Sequence, residues 1–144
     1  MVARVVAKVL NPGAVTGVVQ VLHERLSFWG GFDPREGRII DRHHPQYGCQ
    51  LKDKLLVLPG SRGSAGTPAG VAEAVRLNQA PKAIILGQVD VNVTVGMIVA
   101  SHLYDIQVPV LVVEDQVSYN QFRDGETWTV LENGLVEKRG SHEQ

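Results

Sequence analysis

Three almost wholly apolar runs, at 54–58, 83–86 and 108–113, are spaced by stretches that carry helical periodicity. An apolar run of this length without alternation is a strand buried on both faces. Strands of that kind with helices between them pair in parallel beneath a helical layer. The first helix is expected from Pro68, with Thr67 as its cap and Val71, Ala74, Val75 and Asn78 at helical spacing. The second is expected over 93–103. Between the first strand, which stops at Pro59-Gly60, and the first helix lies a segment of small residues carrying a single arginine, Arg62.

The flanks read as β structure of another kind. Residues 2–10 alternate around Val5, Ala7 and Val9 and stop at Asn11-Pro12-Gly13, a strong turn signal. A second β run at 17–22 is expected to pair with the first. Near the other end, 127–131 alternates, Asn133-Gly134 is the favoured two-residue hairpin turn, and Leu135-Val136 resumes the strand. The tail from 138 is polar and expected to fray. From 26 to 50, Gly30-Gly31, Asp33-Pro34, Gly37, Pro45 and Gly48 leave room for no more than a short extended piece at 38–40. A loop this long in a small domain is more often functional than idle. The pattern describes one α/β domain over 1–144, with a substantial β layer beside the helix-flanked strands.

Composition narrows the function. The formal net charge is −1 and the basic residues are scattered, so neither nucleic acid nor an anionic membrane is expected as a partner. The single cysteine, Cys49, allows no internal disulfide and no closed thiolate metal site. Arg4 and Lys8 interrupt the apolar residues near the start, unlike a signal peptide, and no apolar run is long enough to span a bilayer. A soluble, cytoplasmic protein is the expectation.

The best local candidate for chemistry is the strand–loop–helix unit around 58–75. A helix N-terminus presents unpaired N–H groups and the positive end of the helix dipole, so a loop of small residues there can cradle an anion. Arg62 adds a planar, permanently charged fork, and Ser64 places a hydroxyl in the same field. The loop is neither a Walker A nor a Rossmann fingerprint. On physical grounds alone a glycine-rich turn of this kind is more often structural. The adjacent His43 and His44 point in different directions and read as solvated loop residues. Asp33 and Asp41 read as turn formers. Phe28 and Trp29 either anchor the long loop or support a substrate or a partner surface. Asp90 stands where α/β folds place functional side chains and equally where a helix cap belongs. Cys49 reads as a small buried residue.

Taken in order, the segments resemble the small-subunit, or swivel-domain, family of aconitase X. The resemblance spans roughly 15–113 by pattern. It is carried by Leu26-Ser27-Phe28-Trp29-Gly30-Gly31-Phe32-Asp33-Pro34, by Gly37 with Ile39-Ile40-Asp41, and by His44-Pro45. It continues through Leu58-Pro59-Gly60-Ser61-Arg62-Gly63-Ser64 and Pro81-Lys82-Ala83-Ile84-Ile85-Leu86, with Gly96 and Pro109 beyond.

The resemblance implies a swivelling β/β/α three-layer domain. It also implies a hydro-lyase subunit that completes the active site of a large catalytic subunit, whose cysteines hold an iron–sulfur cluster. The implied substrate is a small hydroxy acid, cis-3-hydroxy-L-proline ahead of mevalonate 5-phosphate. Ser64 is the implied catalytic base, with Arg62, Gly63 and Thr67 on the substrate and no metal or cofactor held by this chain. The chain departs from the family pattern at Ser61, which stands where the loop has its first glycine. It departs again at Gly66-Thr67-Pro68, where a second Gly-Ser is usual. Trp29, where archaeal relatives often carry tyrosine, leans toward a bacterial type of enzyme. Two other readings compete: a non-catalytic swivel-like module that binds a partner protein or a small anion, and a phosphate-binding transferase. The second is weakened by the absence of a lysine in the loop and of a carboxylate pair for magnesium.

Overall fold

The computed structural model of the chain describes residues 3–63 and 65–140. The chain opens with β1 (Arg4–Val6) and β2 (Lys8–Asn11), continues into β3 (Val15–Val21), and then traverses the long loop, which holds only the short ladder β4 (Phe32–Asp33) and β5 (Arg38–Ile39). The α/β half follows as β6 (Lys54–Leu58), α1 (Thr67–Arg76), β7 (Ala83–Leu86), α2 (Val91–Tyr104) and β8 (Val110–Val112). The short α3 (Gln116–Tyr119) leads to the hairpin of β9 (Thr127–Val130) and β10 (Leu135–Lys138). The second helix is longer than the expected 93–103, starting two residues earlier behind the Asp90 cap and ending one later.

Eight strands form one sheet in the order β1-β10-β9-β3-β6-β7-β8-β2. β3, β6, β7 and β8 run parallel, as the apolar runs require. The expected pairing of 2–10 with 17–22 does not occur. The first segment breaks at Ala7 into two strands that hold opposite edges of the sheet. β1 lies antiparallel to β10 and β2 antiparallel to β8, while β3 takes β9 and β6 as neighbours. A single residue separates β1 from β2, so the sheet has to curl until its two edges meet on one stretch of chain. Ala7 itself donates its N–H to the Gly134 carbonyl at 2.9 Å. Each edge is kept short in this way, three residues in β1 and four in β2.

The curled sheet separates two cores, and the parallel strands feed both by alternation. Leu56, Leu58, Ile84, Leu86, Val110 and Val112 face the helices and the long loop. Leu55, Val57, Ala83, Ile85, Leu111 and Val113 face inward, against Trp128, Phe122 and Val136. Trp128 is fully buried and donates its indole N–H to Glu126. On the helical side α1 and α2 cross closely at Gly96. A Cβ there would collide with Val71 and with the backbone of Pro68, so only glycine allows the approach.

Candidate functional site

The loop between β6 and α1 leaves the sheet at the C-terminal ends of the parallel strands, the edge at which open α/β sheets place their ligands. Its root is pinned twice. The Leu26 N–H donates to the Gly60 carbonyl at 3.3 Å, and the Arg62 N–H donates to the Leu26 carbonyl at 2.9 Å, so 60–62 runs as a one-residue bridge beside 26. The second pin is Asp90. One carboxylate oxygen accepts both the N–H and the hydroxyl of Ser61, each at 2.6 Å, and the other caps α2 through the Val93 N–H at 3.1 Å. Arg25 donates to the Ser61 carbonyl at 3.2 Å. Burial pushes the Asp90 carboxyl up, but the Ser61 hydroxyl and amide, the Val93 amide and the nearby Arg25 guanidinium outweigh it and hold the group below the usual carboxylate value. Asp90 is thus the helix cap, one of the sequence's two readings, and also a loop anchor, which the sequence did not indicate.

The segment carrying Arg25 is itself braced. The Gln46 side chain donates to the Val21 carbonyl at 2.6 Å and accepts from the His23 N–H at 2.9 Å. His44 accepts the Gln46 N–H on Nδ1 at 3.0 Å, which leaves Nε2 to donate to the Glu24 carbonyl at 3.4 Å. The expectation of a solvated His44 is therefore corrected. It is 4 % exposed and ties the long loop to Glu24, in the segment that follows β3, whereas His43 is exposed. Asp33 and Asp41 are turn formers as expected, accepting from the N–H groups of Arg35 and His43. Phe28 is buried against Phe32 and anchors the loop. Cys49 is half-buried rather than buried; burial, with the Asp124 carboxylate behind it, pushes its thiol up.

Of the residues singled out for chemistry, Ser64 lies outside the described residues. Arg62 is exposed at the loop surface, 3.6 Å from the Glu24 carboxylate, a partner that nothing in the local pattern indicates. Gly63 borders open space, for a Cβ there would meet nothing within 4 Å. Thr67 is not the helix cap. Gly66 occupies that position, and Thr67 is the first helical residue, fully buried, with its hydroxyl lacking a hydrogen-bond partner among the described residues. The Trp29 indole lies against Gly66, where a Cβ would strike the ring at 2.5 Å, yet the side chain remains 59 % exposed. The loop thus presents a cationic fork and an open backbone stretch to solvent at the N-terminus of α1, with an aromatic ring alongside. That arrangement suits an organic anion.

Sequence reasoning missed Glu24 and Arg25. Each acts by proximity across the fold, and the only available signal was their place immediately before the Leu26-Ser27-Phe28 motif. Among the described residues no group of three or more His, Cys, Asp or Glu side chains could hold a metal ion. No described helix is long and apolar enough to cross a membrane.

A sequence profile described as the aconitase X swivel domain matches residues 4–138. A cis-3-hydroxy-L-proline dehydratase of Pseudomonas aeruginosa is 39% identical over 106 residues, covering 74% of this chain and 18% of that protein. A second protein of that name, from Hypocrea jecorina, is 35% identical over 69% of the chain and 17% of its own length. The chain therefore spans less than a fifth of these two relatives. A phosphomevalonate dehydratase small subunit of Methanothermobacter thermautotrophicus is 37% identical over 65% of the chain and 71% of that subunit. Among solved structures, aconitase X of Thermococcus kodakaraensis in its holo-form superposes with a TM-score of 0.83 at 28% identity, covering 96% of this chain and 99% of that one.

Proposed function

The chain belongs to the aconitase X swivel domain family, and from that premise we propose that it is the small subunit of a dehydratase that removes water from a hydroxy acid. The observation that carries the reading is the loop at 60–67. It is fastened at its root by Asp90 and Leu26 and opens toward solvent at Gly63, in a chain similar to dehydratases of two kinds.

Elimination of water breaks a C–H bond and a C–O bond and forms a double bond. It calls for a base at the carbon and an electron-pair acceptor for the departing hydroxyl. In this reading Ser64 receives the proton. Arg62 and the amides of Gly63, Thr67 and Ala69 hold the substrate's carboxylate. In the first turn of α1 Pro68 has no N–H and the Gly70 N–H donates to the Gly66 carbonyl at 3.0 Å, so Thr67 and Ala69 are the amides left to meet an anion at the positive end of the helix dipole. The described residues do not fit an iron–sulfur cluster: they include one half-buried cysteine and no metal-binding group of side chains. We assign the cluster, and the acceptor role, to a large subunit.

cis-3-Hydroxy-L-proline is the favoured substrate and mevalonate 5-phosphate the next. Relatives named for the first match at 39% and 35% identity over 74% and 69% of the chain, and relatives named for the second at 29% to 39% identity. The test is reconstitution with the large subunit encoded in the same genome, followed by turnover assays on both compounds. Turnover of one of them only by the reconstituted complex supports the reading. Binding to the large subunit without turnover of either would favour a non-catalytic module.

A further inference from the structure

A helix packed on one side only carries polar or charged residues on its outer side. α1 obeys this rule, with Glu73 and Arg76 paired on its outer side. α2 does not, for none of its 14 residues is Asp, Glu, Lys or Arg. Its inner face, Val93, Gly96, Met97 and Ala100, is buried against α1 and the sheet. A second row, Val91, Val95, Ile98 and His102, recurs at the four–three–four spacing of a helix seam and points the other way. Val91 is 66 % exposed, Val95 44 % and Ile98 36 %, and Val99 and Leu103 broaden the row at 43 % and 66 %.

We propose that this outer face of α2 is the docking surface for the large subunit, through an uncharged apolar ridge or helix; the inference rests on the functional reading above. Position is the first argument. The row begins at Val91, next to the Asp90 that fastens the loop. The exposed Val89 and Trp29 extend apolar surface along the same edge of the sheet, so a body seated on the row also reaches the site. Size is the second. A helix of this length is about 21 Å long, and a single stripe along it offers on the order of 200 Å², against about 800 Å² per partner in a stable interface. A second copy packed helix on helix falls short of that, whereas a larger body continuing over Val89 and Trp29 does not. The third argument is the relatives in which the matched segment is 18% and 17% of one long chain: the remainder is several times larger than the segment.

The test titrates the wild-type chain with the large subunit encoded in the same genome, beside a Val95→Asp/Ile98→Asp double variant and a Val6→Asp control. Val6 is 81 % exposed on β1, away from the row. Expected is a loss of about 100-fold in affinity for the double variant, with wild-type affinity for the control. Affinity should change less than about threefold between low and moderate salt, because no Asp, Glu, Lys or Arg lies in the seam. Full affinity of the double variant overturns the docking surface while leaving the dehydratase reading intact, provided the wild-type complex turns over its hydroxy acid. A wild-type chain that fails to bind the large subunit overturns both. A chain that is dimeric by light scattering, with the double variant monomeric, assigns the face to a second copy and overturns the proposal. If the double variant does not fold, hydrogen exchange in the wild-type complex decides: slower exchange over 91–104 on binding is expected, and unchanged exchange overturns the proposal.

Discussion

The parallel strands end in two edges that invite opposite conclusions. At their N-terminal edge lies a cleft of about 300 Å³, walled by Val15, Thr16, Lys82, Ile106 and Gln107 among others. It has the look of a binding site but little chemistry: its cation, the Lys82 ammonium, is occupied by the Thr16 carbonyl at 3.1 Å. At the C-terminal edge the loop lies open at Gly63. Here, however, an exposed guanidinium, the first turn of α1 and a carboxylate-anchored root converge. The C-terminal edge also holds the larger hollow of the two, about 510 Å³ at the ends of β3 and β6 beside His23, Pro59 and Tyr119. The edges differ in chemistry because the chain direction is the same in all four strands. The C-terminal ends of β6 and β7 feed the N-termini of α1 and α2, whose amides and dipoles favour anions, while the opposite edge receives the C-termini of those helices. An open site at that edge also fits a subunit whose partner supplies the other wall.

The largest effect that tests this contrast is expected at Ser64. In the reconstituted complex Ser64→Ala should lower turnover by about 10³-fold, the scale of a lost general base, while the thermal unfolding midpoint stays where it was. Wild-type turnover by that variant would break the contrast outright.

Next is Arg62→Ala, expected to raise KM about tenfold with kcat little changed, as for the loss of a charged contact to a substrate carboxylate. An unaltered KM would remove Arg62 from the site.

Asp90→Asn sharpens the comparison through stability. It retains the shape but loses the charge that caps α2 and holds Ser61, so denaturant unfolding should show a loss of about 1 kcal/mol at neutral pH. Because the folded state holds the Asp90 carboxyl below its ordinary value, this contribution is present above the ordinary carboxylate range. It is lost as the pH falls through the folded value. The gap between wild type and variant should therefore close in acid, and a gap that widened there would contradict the anchoring role.

The smallest effect belongs to the other edge. Lys82→Ala should leave turnover within about twofold, as expected of a surface substitution remote from chemistry. A tenfold loss would relocate the site to the enclosed cleft.

Much of the fold was legible because burial on both faces of a strand leaves a mark in one dimension. The aliphatic runs that became β6, β7 and β8 could be little else, and Asn133-Gly134 marked the hairpin of β9 and β10. The partners of 2–10 were not legible. Alternation tells which side of a strand is buried but not which strand lies beside it, and here one segment served both edges of a curled sheet. Thr67 was misplaced as a cap by one residue, since a hydroxyl before Pro68 carries the same signal whether it caps the helix or begins it. His44 was misread because its burial depends on Gln46 and Glu24, which reach it only after the long loop has folded back on β3.

The site divides the same way. The sequence alone determined that a small-residue loop with Arg62 would join a buried strand to a helix N-terminus. Composition and hydrophobic period are local properties, and the backbone dipoles follow from them. Only the tertiary structure decided that Asp90, 29 residues beyond Ser61, would fasten that loop, that Glu24 would face Arg62, and that α2 would keep an uncharged outer face in solvent. Each of these rests on which elements become neighbours, and the choice of neighbours is made by the closure of the sheet, where many weak contacts act together.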